Sequence, residues 1–208
     1  MTYSIYPMEK TDLAQVTKID REAFPTQWPP ANYRQELSNR LAHYIVACDD
    51  SRIAEAPEII EQKGLMSWLR PLIGHSGSDG AAPSQDKRRF IVGFSGIWVI
   101  GEEAHITNIA VRQDYQRQGI GELLMIATID LAGQLQATIM TLEVRASNTV
   151  AQSLYTKFGF EQTGIRHRYY LDNREDAVVM TTESIDSPAF KERIAQLREE
   201  LAKKLENR

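Results

Sequence analysis

The 208-residue chain has little of what would fix it covalently, to a metal or to a membrane. Its single cysteine, Cys48, sits in the apolar run HYIVAC. No disulfide can form within the chain, and the residue reads as a small buried hydrophobe rather than a nucleophile. Four histidines, His43, His75, His105 and His167, lack metal-ligand spacing, so no metal is expected. No apolar run is long enough to cross a bilayer, and the opening MTYSIYPMEKTDLAQ has no leader-like apolar stretch. A cytoplasmic protein without membrane contact is expected. Charge of one sign is also scarce. The 24 Lys and Arg against 28 Asp and Glu leave a net charge of −4. That argues against direct nucleic-acid binding and suits a cationic substrate better.

What is present is enough for one domain with a proper core, since 42% of the residues are apolar. YSIYPM alternates as a strand. TDLAQVTKIDREAF follows as a helix, with Thr11 as its cap and Leu13, Val16 and Ile19 on one face. FPTQWPP breaks the chain, a short helix is expected from Ala31 to about Arg40, and AHYIVACDD is a strand. Residues 51–89 read as an irregular, partly flexible insertion, in which LMSWLRPLI is the one stretch with helical character around Trp68. Two strands (FIVGFSGIWVI, EAHITNIAV) come next. After them run a helix (GIGELLMIATIDLAGQL, with Leu123, Leu124, Ala127 and Leu131 inward), a strand (IMTLEVR) and a helix closed by Gly159. A final strand pair is joined by DNRE, its first member running through EQTGIRHRYYL. Hairpins mixed with crossover helices predict an α/β, or α+β, fold with a central mixed sheet flanked by helices. Residues 1–184 form this domain. Residues 185–208 form a C-terminal amphipathic helix, capped by Ser187 and Pro188, whose stripe is Phe190, Ile194, Leu197, Leu201 and Leu205. Its stripe suits packing on its own domain, with self-association or a partner contact as the other use.

The stretch DYQRQGIGELLM places Gly119 and Gly121 where a helix should be nucleating, although glycine costs about 1 kcal/mol against alanine in a helix. The phosphate loop of nucleotide hydrolases needs Gly-Lys-Ser/Thr, and Glu122 follows Gly121. The dinucleotide fingerprint needs a third glycine where Leu124 stands. What remains is Gln-x-x-Gly-x-Gly between a strand and a helix. Either this is a tight turn, or the bare backbone lets an anion approach the unpaired N–H groups of the helix start.

The stretches NIAVRQDYQRQGIG, LEVRASN, LYTKFGF and YYLDNREDAVVM, in this order, resemble the GNAT superfamily of acetyl-CoA-dependent N-acetyltransferases. Within it they are most similar to the branch that acetylates the N-terminal alanine of a ribosomal protein. The resemblance covers nearly all of residues 3–184 apart from the insertion. It implies a GNAT fold, acetyl-CoA as co-substrate, and a protein N-terminus, that of a ribosomal protein, as acceptor. It also implies that the backbone of Ile109, Ala110 and Val111 meets the acetyl and pantetheine end. Gln116, Arg117, Gln118, Gly119, Ile120 and Gly121 then cradle the pyrophosphate, and Asn148 contacts the pantetheine arm. Asn148 is equally well placed to cap the helix TVAQSLY.

Acetyl transfer to an amine needs a neutral amine, a way to lose a proton and an outlet for a thiolate. An N-terminal amine has a pKa of about 8, so roughly a tenth is neutral at pH 7, whereas a lysine is neutral in fewer than about one in a thousand molecules. One carboxylate acting through a water then suffices as base. In IMTLEVR, Thr141, Glu143 and Arg145 share one face of the strand. Glu143 is either a surface carboxylate paired with Arg145 or, as the resemblance implies, the base. Tyr155, two helical turns after Asn148, is either a core aromatic or the acid that meets the departing sulfur. FPTQWPP and RHRYYLDNRED are the expected walls of the acceptor groove, and alternation along a strand lets at most one of Tyr169 and Tyr170 face it. Thr26 and Gln27 are two residues more than the family pattern places between Phe24-Pro25 and Trp28. The alternatives are acetylation of a lysine or small amine, and an acetyl-CoA-binding module without turnover.

Overall fold

The computed structural model describes residues 2–26, 31–54 and 89–206. The proposed helix around Trp68, and Trp28 itself, lie outside them. In chain order the elements are β1 (Tyr3–Pro7), α1 (Leu13–Ala23), α2 (Tyr33–Glu36), β2 (Ala42–Ile53), β3 (Arg89–Ile100), β4 (Glu103–Val111) and α3 (Ile120–Gln134). They continue with β5 (Ile139–Arg145), α4 (Thr149–Lys157), β6 (Phe160–Arg166), β7 (Ala177–Thr182) and α5 (Pro188–Glu206). The seven strands form one sheet in the order β1-β2-β3-β4-β5-β7-β6. Every pairing is antiparallel except β4 with β5, which α3 connects by a crossover.

Alternation in β2 and β3 buries both faces of the sheet. Val46, Cys48, Ile91 and Phe94 pack with Val16 and Ile19 of α1 and Tyr33 of α2. Ile45, Ala47 and Val92 pack on the opposite side with Ile120 and Leu124 of α3. Cys48 is the small buried hydrophobe its neighbours imply. Helix α3 is buried more widely than one stripe. Met125, Ile126, Ile129 and Ala132 join the core as well as Leu124, while Leu123, Ala127 and Leu131 are only half-buried. The reason is α5, which covers the outer side of α3. Phe190, Ile194, Leu197 and Leu201 are in the same hydrophobic cluster as α3, α4 and β5. Each such side chain contributes about 2 kcal/mol of burial.

Several boundaries differ from the sequence expectation. Asp12 takes the place of Thr11 at the start of α1. It follows a 3₁₀ turn, Lys10–Asp12, and its carboxylate accepts the Glu9 N–H at 2.8 Å. Helix α2 is a single turn capped by Asn32, and Ser51 to Ile53 and Arg89 belong to strands rather than to the insertion. Strand β6 ends at Arg166, five residues early. Arg168 adopts a left-handed φ of 55°, and Asp176 accepts its N–H at 2.8 Å and the His167 ring at 2.9 Å, which closes the connection to β7. Tyr169 and Tyr170 therefore lie off the strand, and the alternation argument does not apply to them. They meet each other edge to face at 5.3 Å.

Candidate active site

The site grows from a break in the sheet. β4 and β5 pair only from Glu103 with Ile139 to Ile106 with Leu142. Beyond that both continue, β4 to Val111 and β5 to Arg145, each held by its other neighbour. Gly96 and Ile97 of β3 pair with Asn108 and Ile106, which leaves Thr107 as an extra residue that bends β4 at this point. Gly96 permits it, since a Cβ there would fall 2.1 Å from the Tyr44 ring. The strands splay into a wedge whose β4 side is the backbone of Ile109, Ala110 and Val111. Peptide groups on that edge are left without a strand partner, among the described residues, and are free to bind an extended amide chain.

The wide end of the wedge leads to the glycine turn. Tyr115 anchors the approach, donating to Asp49 at 3.0 Å while Arg52 donates to its hydroxyl at 2.9 Å. The Gln118 amide donates to the Asp114 carbonyl at 2.8 Å and accepts from Tyr3, and that of Gln116 donates to the Val111 carbonyl at 3.4 Å. These side chains brace the loop, in which Gln116 and Arg117 are exposed, Gln118 and Gly121 half-buried, and Gly119 and Ile120 buried. Arg117 (φ 61°) and Gly119 (φ 92°) are both left-handed, and Gly119 caps α3. A side chain at 119 would be strained. Gly121 is different. A Cβ there would meet only Leu154 at 3.7 Å, an ordinary contact. Neither conformation nor packing requires that glycine.

Glu143 lies on β5 just past the last pairing with β4, its side chain 8% exposed. The expected pair with Arg145 does not form. His105 Nε2 lies 3.0 Å from one Glu143 oxygen and Arg166 donates to the other at 2.9 Å. The His105 hydrogen bond above all, with the Arg166 charge, outweighs burial and holds the Glu143 carboxyl below the usual glutamate range. Arg145 turns instead to the β6–β7 connection, contacting Asp172 at 3.0 Å and Glu175 at 3.1 Å and stacking on the Tyr170 ring at 3.9 Å. It also donates to Thr26 at 3.3 Å. The two expected acceptor walls thus meet over Arg145, through one of the residues by which the chain departs from the family pattern.

Asn148 caps α4, its amide oxygen accepting the Ala151 N–H at 3.1 Å, which leaves its NH₂ group for another acceptor. Tyr155 is buried against Phe160, their rings 5.9 Å apart. Burial, then the neighbouring Tyr170, pushes its hydroxyl pKa far up, so it stays protonated. Its hydroxyl has no hydrogen-bond partner among the described residues and is not one of their fully buried polar atoms, so it keeps some access to solvent. Sequence reasoning missed His105, and it gave Arg166 and Tyr170 only as parts of an acceptor wall, without their contacts to Glu143 and Arg145. Alternation placed His105 on one face of β4, but only the β4–β5 register brings it to Glu143.

Among the described residues, no helix is long and apolar enough to cross a membrane, and no group of three or more His, Cys, Asp or Glu is placed to hold a metal.

Known proteins resemble this chain both in sequence and in fold. The model of the acetyltransferase (GNAT) family matches residues 66–160. A Bacillus subtilis protein named as a candidate ribosomal protein bS18-alanine N-acetyltransferase is 32% identical over 174 residues, 83% of this chain and 90% of the relative. An N-alpha-acetyltransferase of Sulfurisphaera tokodaii is 29% identical over 182 residues, 86% of this chain and 91% of its own. The crystal structure of the ribosomal-protein-S18-alanine N-acetyltransferase of Escherichia coli superposes with a TM-score of 0.61 at 26% identity, covering 90% of this chain and 97% of that one. With the likeness to the Bacillus protein over most of both chains and the sheet described above, the chain belongs to the GNAT acetyltransferase family.

Proposed function

We propose that the chain transfers the acetyl group of acetyl-CoA to the α-amine at the N-terminus of a protein, with a ribosomal protein as acceptor and the cytoplasm as its place of action. We further propose residues 1–184 as the acetyltransferase domain, with the stretch between Ile53 and Arg89 as its insertion and 185–208 as a helical extension docked on it. The observation that carries the function is the wedge itself, with Glu143 on its β5 side. Gly121 supports the cofactor, being bare where nothing in the protein demands it.

When bound, acetyl-CoA supplies the activated thioester. The backbone of Ile109, Ala110 and Val111 would pair with its amide arm, Asn148 would use its spare NH₂, and residues 116–121 would present N–H groups to the pyrophosphate. A backbone N–H near Val111 would hold the oxyanion. Glu143, kept ionised by His105 and Arg166, attracts the acceptor amine and takes its proton through a water. A carboxylate held this low is a weak base. An amine of pKa about 8 is roughly 3 kcal/mol easier to deprotonate than a lysine near 10.4, so the Glu143 environment favours an α-amine over a lysine. Tyr155, protonated and without a hydrogen-bond partner among the described residues, would offer its O–H to the departing thiolate, and a thiol pKa near 8.5 asks for little more than a hydrogen bond.

The test is CoA release from acetyl-CoA with two peptides carrying the N-terminus of ribosomal protein bS18, one with its α-amine blocked. Turnover with the free amine alone supports the reading. Equal turnover with both moves the acceptor to a lysine, and CoA binding without turnover on any amine reduces the chain to a binding module.

A further inference from the structure

Helix α5 ends against the glycine turn. Leu201 Cδ1 lies 2.9 Å from where a Cβ of Gly119 would be, Leu205 lies 3.5 Å from it and Lys204 Cε 4.0 Å. Lys204 Nζ donates to Glu122 at 2.8 Å, and Lys157 Nζ, from α4, donates to the other Glu122 oxygen at 2.6 Å. Glu122 stands in the first turn of α3, its side chain 16% exposed. Three helices thus bring two ammonium groups and one carboxylate to the start of α3, with a net charge of +1.

An acidic residue in the first turn is already favoured by the helix dipole and does not need two lysines. Alone it would repel an incoming phosphate; the lysines reverse that sign. An ammonium group has three donors on a flexible stem, so it can keep Glu122 and still turn a second N–H to an anion at the turn. Elsewhere α5 is attached without such a cluster. Arg198 pairs with Asp130 at 2.8 Å, roughly 13 Å along α3 from Gly121 by helical rise.

We propose that Lys204, presented by α5 beside Lys157, is a phosphate-binding residue of the acetyl-CoA site, so that cofactor binding and docking of the C-terminal helix reinforce each other. The proposal rests on the cofactor reading above. The coupling is reciprocal: whatever factor the docked helix adds to cofactor affinity, the cofactor adds to helix docking.

The experiment is calorimetric titration of the full chain with CoA, which needs no acceptor. Lys204→Gln is expected to weaken CoA binding roughly three- to tenfold, the range for a partly exposed charge-assisted contact. Lys204→Arg retains most of the affinity. Arg198→Ala, which removes the α5 contact with Asp130 but keeps Lys204, weakens CoA binding less than Lys204→Gln does. Repeating the titration with dephospho-CoA locates the contact. A factor that persists assigns Lys204 to the pyrophosphate, and one that disappears assigns it to the 3′-phosphate. Amide exchange over residues 197–206 slows on CoA binding in the wild type and not in Lys204→Gln. Wild-type CoA affinity in Lys204→Gln, or an equal loss in Arg198→Ala, overturns the proposal. A wild-type chain that does not bind CoA overturns the cofactor reading itself.

Discussion

Replacing Gly121 by alanine separates the needs of the fold from those of the ligand. Position 121 is the second residue of α3, and a Cβ there meets only Leu154 at 3.7 Å. The substitution removes a helix penalty and restricts the unfolded chain, a gain of about 0.5–1 kcal/mol. For a chain of this size that is a rise in Tm of about 1–4 °C. The same methyl group stands between the helix-start N–H groups and the place proposed for the pyrophosphate. CoA affinity should fall at least about tenfold, or ~1.4 kcal/mol. Thermal unfolding of the free protein gives the first quantity and calorimetric titration with CoA the second. A stabilised protein that binds CoA normally would refute the idea that the glycine is kept for a ligand. A destabilised one would show a packing requirement at 121. Gly119→Ala is the contrast. Its φ of 92° costs an alanine about 1–2 kcal/mol before the Leu201 contact is counted, so this variant loses stability.

Glu143→Gln should lower kcat about a hundredfold or more while CoA still binds, and an unchanged kcat would remove Glu143 from the chemistry. Since Glu143 is ionised well below neutral pH, kcat/KM should rise with pH through the acceptor amine near pH 8, with no rise in the carboxylate range. The depressed Glu143 pKa also stabilises the fold above the ordinary glutamate value of 4.5, and this is lost as pH falls through the folded value. His105→Ala removes the largest cause of that depression. Its stability deficit should therefore be seen at pH 7 and shrink in denaturant titrations near pH 3. Tyr155→Phe should reduce kcat with little change in CoA affinity, and the wild type should show no alkaline loss of activity from Tyr155 at pH 9, because burial keeps the hydroxyl protonated. Gly96→Ala, with its Cβ 2.1 Å from the Tyr44 ring, should cost at least about 2 kcal/mol in urea unfolding.

Local sequence by itself determined the element order, because each element carries its own period or apolar run. β1 alternates, β2 and β3 are apolar runs of strand length, α3 and α5 repeat at helical spacing, and Asn148 announces the cap of α4 whatever else it does. It also marked Gly119 and Gly121 as out of place in a helix. It could not tell that the first is demanded by a left-handed cap while the second is demanded by nothing inside the protein. That distinction depends on neighbours distant in sequence, Leu201 for one and Leu154 for the other. The tertiary structure alone decided the partners of Glu143. Strand alternation put Glu143 beside Arg145, but parallel register with β4 brought His105 to it and the antiparallel β6–β7 pair brought Arg166. Register and splay are set by a bulge at Thr107, opposite Gly96, and by where pairing stops, and neither leaves a periodic trace in the sequence. The same holds for α5. Its apolar stripe foretold burial, but only packing across α3 could place Lys204 at the glycine turn.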